Sequence, residues 1–374
     1  MRARTSGSAR LVWLLRAGPE YGAVVVYAAR LTVLGSLNMD ISVTVPDLPI
    51  PGATFLCSAA AFAPGGKGAN QAVAAARLAR DAGLPVAMIG CIGDDDFGRT
   101  LRAALRDEGI DDSRVRAVAG APTGIAMITV DHAGENMITV APGANHEVST
   151  ADIAAAHPAW ANPAPAGPDA DGAAGTVSQA ANAFHDVLVI SAEVPIPVIS
   201  AALAESAGRA LRVLNLAPAP SRAAAAELVA AGPEWLVVNE SEAAAVLGRA
   251  VAGLAEAADA AAELVAAGAR NAVVTAGAAG AAYGGPQPAA GASAGLVVTV
   301  PGFKVTAVDT VGAGDTFVGA LAVALAAGVP PVEAVTAAAA AGAAAAARPG
   351  TQSGMPRPAD VLAATGHRWP ATAR

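Results

Sequence analysis

Residues 308–318 read Val-Asp-Thr-Val-Gly-Ala-Gly-Asp-Thr-Phe-Val, a turn of small residues that leads into an acidic residue and an apolar run. Three side chains at its centre are small enough to let backbone N–H groups converge on an anion: Gly312, Ala313 and Gly314. The apolar run 317–327, followed by Gly328, predicts a helix that begins at this turn. Asp315 would then lie at a helix N-terminus, where a phosphoryl group can bind while a carboxylate takes the proton of an attacking hydroxyl. Asp also caps helices frequently, and this stretch alone leaves both roles open.

The composition predicts a globular protein without a nucleic-acid partner. The 374 residues are 54% hydrophobic and only 14% charged, which is ample material for a core. Aromatic residues make up 3%, so packing must rely on the close approach of small side chains. A formal net charge of −8 argues against a nucleic-acid binder. It does not argue against a nucleotide, because a helix terminus can bind phosphate in an acidic protein.

Short apolar runs alternate with alanine-rich stretches from residue 31 onward, a pattern typical of βαβ units. The predicted strands cover 31–35, 86–90, 187–190, 213–216, 236–238 and 272–275. The predicted helices cover 69–82, 196–208, 221–231 and 256–267. These elements predict an α/β fold with a central, mostly parallel sheet that is covered by helices on both faces.

A second class of predicted strand has more alternation and more polar residues. These strands cover 41–45, 54–62, 125–130 and 136–140. Their alternation is typical of a half-exposed sheet, so we expect a small antiparallel layer outside the main sheet. Such a layer could act as a lid.

Several segments carry no predicted element. Residues 1–30 combine a basic start with a short apolar run that Arg16 interrupts. We interpret them as an appended, disordered extension, with an export signal as the alternative. Residues 158–183 and 284–295 are rich in Ala, Gly and Pro and are predicted to be flexible insertions or loops. No run has the character of a membrane span, so we expect no membrane partner.

The two cysteines, Cys57 and Cys91, fit no metal-ligand spacing and suggest no disulfide framework. The simplest interpretation is that both are buried small hydrophobic residues. Free thiols of this kind suit a reducing cytoplasm.

Polar residues cluster after two further predicted turns. Asn38 and Asp40 follow the first strand, and two residues that are two apart in extended chain project to the same face. An amide and a carboxylate together suit a polyhydroxylated substrate, although an ordinary Asx-rich turn is the alternative. Lys67 lies between glycines at the start of a predicted helix, where it could meet an oxygen-rich ligand or be a solvated loop lysine. This turn lacks the spacing of a Walker A loop.

Other polar residues follow the predicted strands directly. They are Glu193, Asn239, Glu242 and the run 275–280. Ligands of open α/β sheets bind just beyond the carboxyl ends of parallel strands, so residues at these positions are candidates for a binding site.

Seven motifs occur together and in a characteristic order. They are Gly35–Asp40, Gly65–Asn70, Gly93–Asp95 with Phe97–Gly98, Pro142–Asn145, Asn215–Ala219, Asn239–Glu242 and Val300–Ala320. With them, residues 31–356 resemble the ribokinase-like (phosphofructokinase B) family of sugar kinases. The resemblance implies a ribokinase-like fold, with one kinase domain over residues 31–366, lid strands within about 41–62 and 125–140, and a tail at 367–374.

The resemblance also assigns roles to residues of this chain. It implies that sugar hydroxyls are held by Asn38, Met39, Asp40, Gly66, Lys67, Gly68, Asn70 and Glu193. It implies that Asp315 is the catalytic base and that the backbone of Gly312, Ala313 and Gly314 is the anion hole for the γ-phosphate. The implied nucleotide contacts are Asn239, Thr275, Ala276, Gly277, Ala278, Ala279, Gly280 and Gly314.

Two metal ions are implied in the same way. Glu242 corresponds to a residue associated indirectly with Mg²⁺. The residues that correspond to an activating K⁺ site are Asp309, Val311, Ala345, Arg348, Gly350 and Gly354. Gly354 stands where relatives carry a hydroxyl residue, which removes one ligand. Ala339 stands where relatives often present His or Asn to the adenine.

The activity that the resemblance implies is ATP-dependent phosphorylation of D-ribose at O5, giving D-ribose 5-phosphate. A kinase for deoxyribose, fructose or a nucleoside such as adenosine is the first alternative. A catalytically silent sugar-sensing module would be expected to lack the base, and Asp315 is present. A dinucleotide-dependent enzyme is disfavoured because no Gly-x-Gly-x-x-Gly follows the first strand. We also expect a homodimer joined through the lid strands, whose edges would otherwise be exposed.

Overall fold

The computed structural model describes residues 12–15, 24–27, 30–52, 54–57, 59–133, 135–156, 186–286 and 295–370. The strands are β1 (Val12–Leu15), β2 (Val24–Tyr27), β3 (Leu31–Leu34), β4 (Asn38–Thr44), β5 (Ala60–Gly65), β6 (Val86–Gly93), β7 (Asp111–Val118), β8 (Gly124–Val130), β9 (Asn136–Ala141), β10 (Val187–Ser191), β11 (Leu211–Asn215), β12 (Trp235–Asn239), β13 (Ala272–Thr275), β14 (Gly280–Gly285) and β15 (Leu296–Pro301). The helices are α1 (Lys67–Ala79), α2 (Asp96–Asp107), α3 (Thr150–Ala156), α4 (Ile196–Glu205), α5 (Arg222–Ala230), α6 (Glu240–Leu247), α7 (Gly253–Ala266), α8 (Ala313–Ala326), α9 (Pro331–Ala346), α10 (Thr351–Gly354) and α11 (Pro358–Thr365).

The main sheet has nine strands in the order β15-β14-β13-β12-β11-β10-β3-β6-β7. Its strands pair in parallel from β13 through β7, whereas β14 and β15 are antiparallel additions at one edge. The predicted mostly parallel sheet is therefore confirmed. Successive strand residues enter two different cores: Val33 packs with the cluster that contains α1, α8 and α9, and Leu34 packs with the cluster that contains α4 and α7. Both faces of the sheet are thus covered by helices, as continuous apolar strands require.

Helices α1 and α8 cross at very short range because glycine and alanine occupy the contact. A Cβ atom at Gly319 would lie 2.6 Å from the backbone oxygen of Gln71 and 2.9 Å from the Cβ of Ala74. Any side chain at this position would push the helices apart. The crossing brings the first turn of α1 next to the first turn of α8, and this contact builds the centre of the candidate site.

The lid is a separate four-stranded sheet in the order β5-β4-β8-β9. The prediction of a separate layer is confirmed, but its antiparallel character is only partly right, because the central strands β4 and β8 pair in parallel. The strand predicted over 54–62 begins only at Ala60. Large apolar side chains on this sheet are exposed; they include Phe62 (60% exposed), Met127, Met137, Ile138 and Val140.

The structure differs from the predictions in one loop and at the C-terminal end. The prediction of a loop over 284–295 is wrong at its start, because Gly284 and Gly285 end the buried strand β14. Their lack of a side chain lets neighbouring groups pack closely against them. Trp369 is buried in the core, so residues 367–370 pack with the domain and do not extend from it. Strands β1 and β2 pair antiparallel, while the rest of residues 1–29 and the segment 158–183 lie outside the described residues. Within the described part of the chain, no helix combines the length and apolarity that crossing a membrane requires.

Candidate active site

The carboxylate of Asp315 is buried at the crossing of α1 and α8. Gly312 is the N-cap of α8 with a φ of 79°, a left-handed conformation that glycine adopts without strain, and no side chain caps this helix end. The Nδ2 of Asn70 donates to Oδ2 of Asp315 at 2.9 Å, and the Nε2 of Gln71 donates to Oδ1 at 3.2 Å. Asp315 is therefore held by amides of another helix, and the alternative that it only caps its own helix is wrong.

The start of α8 leaves backbone donors beside this carboxylate. The N–H of Ala313 donates to the carbonyl of Thr310 at 3.2 Å, so this predicted member of the anion hole is already paired. Within the described residues, no acceptor is paired with the N–H groups of Gly314 and Asp315. Gly314 is exposed, and a Cβ atom there would meet nothing within 4 Å. An anion can therefore reach these donors from the cleft.

Asn38 and Asp40 lie on β4 with their side chains on one face, as the extended spacing predicted. The Nδ2 of Asn145 donates to Oδ1 of Asn38 at 2.8 Å, and Oδ1 of Asn145 accepts from the N–H of Leu37 at 2.9 Å. Asn145 thus fixes the amide of Asn38 so that its nitrogen is the group left for a ligand. Met39, between them, is buried in the core and is only 3% exposed.

Lys67 begins α1, and its backbone and side chain face different partners. Its N–H donates to Oε2 of Glu193 at 3.2 Å, and the hydroxyl of Ser36 donates to the same oxygen. The side chain of Lys67 lines the cleft together with Asp315, Asn239 and Glu242. Gly66 is the N-cap with a φ of 89°, and Gly68 lies within the first turn. The structure therefore brings this predicted motif to the cleft.

Four carboxylates surround the single lysine of this cleft. Burial is the largest cause that raises the pKa of Asp40 to about 7; repulsion by Glu193 and Asp315 adds to it, and Lys67 opposes it. Attraction by Asp315 raises the pKa of Lys67, with burial opposing. Burial also raises the pKa of Glu193 and of Glu242. An excess of buried negative charge favours a positively charged or hydroxyl-bearing ligand and disfavours a free anion.

Asn239 and Glu242 form a capping box at the start of α6. The Oδ1 of Asn239 accepts from the N–H of Glu242 at 2.8 Å, and Oε2 of Glu242 accepts from the N–H of Asn239 at 2.8 Å. Both residues line the cleft beside Lys67, Asn215 and Thr275. The Nδ2 of Asn239 and the second carboxylate oxygen of Glu242 take no part in this pair of bonds.

A larger apolar cavity of about 520 Å³ adjoins the cleft, and Thr275 and Gly314 line both. Its other lining residues are Gly277, Ala278, Gly280, Gly302, Phe303, Lys304, Val305, Ala307, Thr310, Ala313, Phe317, Ala339, Gly342, Ala343 and Ala346. The cavity has the size and the apolar walls that suit a heteroaromatic base. Of the residues predicted to contact a nucleotide, Asn239 lines the cleft and not this cavity, and Ala276 and Ala279 line neither.

The residues of the implied monovalent-cation site lie together behind the start of α8. The carboxylate of Asp309 accepts from the N–H of Val311 at 3.0 Å and from the N–H of Gly350 at 2.9 Å, which ties the two loops together. A Cβ atom at Gly354 would lie 3.2 Å from the carbonyl oxygens of Arg348 and of Pro349. Converging carbonyl oxygens are the ligands that a hard cation prefers, so these residues fit such an ion.

Two residues of the implied cation site, Ala345 and Arg348, already have partners within the protein. The carbonyl of Ala345 accepts from the N–H of Arg348 at 3.0 Å, and the guanidinium of Arg348 pairs with Asp360 at 2.6 Å. Arg348 could therefore contribute only its backbone. Within the described residues, no three His, Cys, Asp or Glu side chains come together as a metal site.

The structure adds polar residues that the sequence did not assign to the site. They are Ser36, Gln71, Asn145, Asn215 and Gln352. Ser36, Asn145 and Asn215 lie within three of the seven motifs of the sequence analysis, and Gln71 directly follows a fourth. Asn215 is marked as a polar side chain in an otherwise apolar stretch, whereas Gln352 lies between Thr351 and Ser353 and has no such signal. The partner of each residue becomes visible only in three dimensions.

The chain is similar to known proteins in sequence and in fold. Residues 28–358 match the family model described as pfkB family carbohydrate kinase. The chain is 34% identical over 336 residues to the ribokinase of Schizosaccharomyces pombe, an alignment that covers 89% of this chain and 96% of that protein. It is similar to the structure of ribokinase from Thermotoga maritima, with 31% identity, a TM-score of 0.71, and coverage of 90% of this chain and 98% of that one. Arabidopsis thaliana ribokinase complexed with ribose and ATP aligns with 27% identity, a TM-score of 0.69, and coverage of 90% and 98%.

Proposed function

Because the chain belongs to the pfkB family of carbohydrate kinases and is a phosphotransferase, we propose that it transfers the γ-phosphoryl group of ATP to O5 of D-ribose. The product would be D-ribose 5-phosphate. The observation that carries the proposal is the buried carboxylate of Asp315 beside N–H groups at the start of α8 that have no acceptor within the described residues. The choice of ribose and ATP is supported by the ribokinases among the relatives and by the ribose and ATP bound to the Arabidopsis protein.

The position of these groups supports the following reaction. The substrate hydroxyl would lie between Asp315 and the γ-phosphorus. As the oxygen attacks, its proton passes to a carboxylate oxygen of Asp315, a new O–P bond forms, and the bond from phosphorus to the bridging oxygen of ADP breaks. The N–H groups of Gly314 and Asp315 face the charge on the transferring group. Donors fixed at a helix start need no reorganisation, and loss of one such donor in other enzymes costs about 3 kcal/mol.

The sugar would bind on the lid side of the same carboxylate. Asn38 and Asp40 on β4, Asn70 on α1 and Glu193 after β10 supply donors and acceptors for its hydroxyls. Lys67 lines the cleft between this group and the carboxylate of Asp315. The adenine would occupy the apolar cavity that Ala339 and Gly342 help to line. Ala339 offers no hydrogen bond to the base, so affinity for the nucleotide would come from apolar contact.

Two cations belong to the proposal. Mg²⁺ bound with ATP would offset the negative charge that the nucleotide adds beside Lys67, which already interacts with four carboxylates. Glu242, which lines the cleft, would act on that ion indirectly. K⁺ would be held by carbonyl oxygens near Gly350 and Gly354 and by Asp309. Asp309 already joins the loop before α8 to the loop before α10, so an ion there would stiffen both.

We further propose a cytoplasmic homodimer. The interpretation that both cysteines are buried is wrong for Cys57, which is exposed, and holds for Cys91. Free thiols at both positions suit a reducing compartment. The exposed apolar side chains on the lid, such as Phe62 and Met127, would be covered by the lid of a second copy. No nucleic-acid or membrane partner is proposed.

A panel of sugars tests the substrate. The purified protein is incubated with ATP, Mg²⁺ and K⁺ together with ribose, deoxyribose, fructose or adenosine, and ADP release is followed. We expect kcat/KM to be highest with ribose. A higher value with another substrate would replace ribose within the same mechanism, and no turnover with any of them would favour a sensing module.

A further inference from the structure

Gln71 is the fifth residue of α1, and its side chain is completely buried. Its Nε2 donates to Oδ1 of Asp315 at 3.2 Å and to Oδ1 of Asn215 at 2.9 Å. An amide nitrogen carries two hydrogens, and both are used in these bonds. Gln71 therefore has no donor left for a substrate, and any role in the reaction must be exerted through Asp315.

The orientation of this amide is fixed from the far side. The Nδ2 of Asn215 donates to the carbonyl of Val237 at 3.1 Å, which turns Oδ1 of Asn215 toward Gln71. A flipped Gln71 amide would set its oxygen against two other oxygens, so the donor must face both partners. The chain of bonds runs from the backbone of β12 to the carboxylate of Asp315 without a gap.

The other end of the Gln71 amide is left unsatisfied. Its Oε1 is buried and has no hydrogen-bond partner within the described residues. A buried carbonyl oxygen without a donor lowers stability by comparison with a satisfied one. A glutamine at this buried position therefore does not serve to stabilise the fold. The two hydrogen bonds that its nitrogen donates are the reason for its position.

Asn70 holds the second oxygen of Asp315 in a different manner. Its Nδ2 donates to Oδ2 of Asp315 at 2.9 Å, while its Oδ1 accepts from Nε2 of Gln352 at 3.0 Å. One hydrogen of the Asn70 amide remains free, and Asn70 is 5% exposed, so it can also contact a ligand. The carboxylate thus has one oxygen tied to an amide with no free hydrogen and one tied to an amide that keeps a free hydrogen.

We propose that Gln71 is a positioning residue that fixes the carboxylate of Asp315 through Oδ1 and so directs Oδ2 at the substrate hydroxyl. This inference rests on the role of Asp315 as the base in the function proposed above. A carboxylate held at only one oxygen can rotate about its Cβ–Cγ bond, whereas a second donor from a fixed amide prevents this. Misplacement of a reacting group by about 1 Å can lower a rate by about 100-fold.

The test replaces Gln71 by methionine, which has a similar shape but no N–H. We expect kcat to fall by about 10- to 100-fold, while the Kd of the sugar measured by calorimetry without ATP stays within about twofold of the wild type. The matched control is Gln352→Met, which removes an amide that contacts Asn70 and not Asp315. Its loss in kcat should be smaller; equal losses at the two positions would overturn the proposal.

Other results would also count against it. A Gln71→Met enzyme with kcat within about threefold of the wild type, or with sugar affinity reduced as much as kcat, overturns the positioning role. If Gln71→Met does not fold, Asn215→Ala removes the second anchor of the same amide, and we expect several-fold lower kcat with unchanged sugar affinity; unchanged kcat overturns the proposal. An active wild type with unaffected variants rejects only this inference, whereas a wild type inactive on every sugar rejects the proposed function as well.

Discussion

The two sides of the cleft are built in different ways. On the body side, Asp315 is held by two amides at the crossing of α1 and α8, where Gly319 lets the helices touch. On the lid side, Asp40 lies on a small sheet, and no hydrogen bond within the described residues reaches its carboxylate. Hydrogen bonds therefore fix the body side, whereas on the lid side the carboxylate of Asp40 has no such partner within the described residues and several large apolar side chains are exposed. We infer that the body positions the groups that react, and that the lid completes the binding of the sugar when it closes.

The largest expected effect lies on the body side. Asp315→Asn removes the proton acceptor but keeps the size of the side chain, so we expect kcat to fall by about 10³-fold or more. Sugar affinity should change little, because the other groups that hold the sugar remain. Kinetics with ribose and ATP, combined with calorimetry of sugar binding, checks this. Turnover close to the wild-type value would show that Asp315 is not the base.

A second change tests whether close helix packing holds the body side together. Gly319→Leu places a side chain where the backbone of Gln71 lies 2.6 Å from the Cβ position, so α1 and α8 must separate. We expect a loss of about 2–4 kcal/mol in the free energy of unfolding, together with most of the activity. Ala226→Leu, at an exposed position of α5, is the control and should change stability by less than about 0.5 kcal/mol. Equal stability of the two variants in urea denaturation would contradict this description of the crossing.

The lid side should respond to pH through Asp40. Its pKa is raised from 3.8 to about 7, so the folded protein holds a proton there that the unfolded chain releases at lower pH. The stabilising contribution is therefore complete below about pH 4 and is lost as pH rises through about 7. Asn mimics the protonated form, so Asp40→Asn should raise Tm at pH 8 by several degrees and change Tm little at pH 4.

The same carboxylate should give sugar binding the opposite pH dependence. An ionised Asp40 is the better acceptor for a sugar hydroxyl, so the wild-type KM for ribose should rise by up to about tenfold between pH 8 and pH 6. Asp40→Asn should bind ribose weakly at every pH. Asp47→Asn, at an exposed lid position, is the matched control and should change neither Tm nor KM. A flat KM profile in the wild type would exclude Asp40 as a titrating sugar ligand.

The smallest expected effect concerns the exposed apolar side chains of the lid. Met127→Lys combined with Ile138→Lys places a charge on each face of the sheet where an exposed apolar side chain now lies. We expect light scattering to show a shift from dimer to monomer, with a few-fold higher KM for ribose and an unchanged Tm. Ala226→Lys, at an exposed position of α5 outside the lid, is the control and should leave the dimer intact. A wild type that is already monomeric would remove the dimer from the proposal.

The body was more predictable from sequence than the lid, for a physical reason. A strand such as Leu31–Leu34 is buried on both faces, so its composition alone identifies it. Strand β7, an edge strand with several charged residues, and the antiparallel β15 show no such signal and were not predicted. The parallel pairing of β4 with β8 was missed because the two strands are far apart in the chain, and local alternation does not encode the partner.

The candidate site divides in the same way. Asp315 and Lys67 could be located because glycine-rich turns and strand ends mark such positions in the sequence. Gln71 and Gln352 could not, because an amide in a helix has no role until its acceptor is known. The pairing of Ala313 with Thr310 was also beyond reach, since it depends on the local path of the turn.

The placement of the two thiols has a practical use. Cys57 is exposed in the segment that leads into lid strand β5, whereas Cys91 is buried, and burial raises its pKa to about 12. A maleimide reacts with the thiolate, so a fluorophore would attach to Cys57 in the unmodified protein and leave Cys91 unlabelled. Energy transfer from a tryptophan such as Trp235, in the main sheet, to that label would then follow the approach of lid and body in real time as sugar and nucleotide are mixed in.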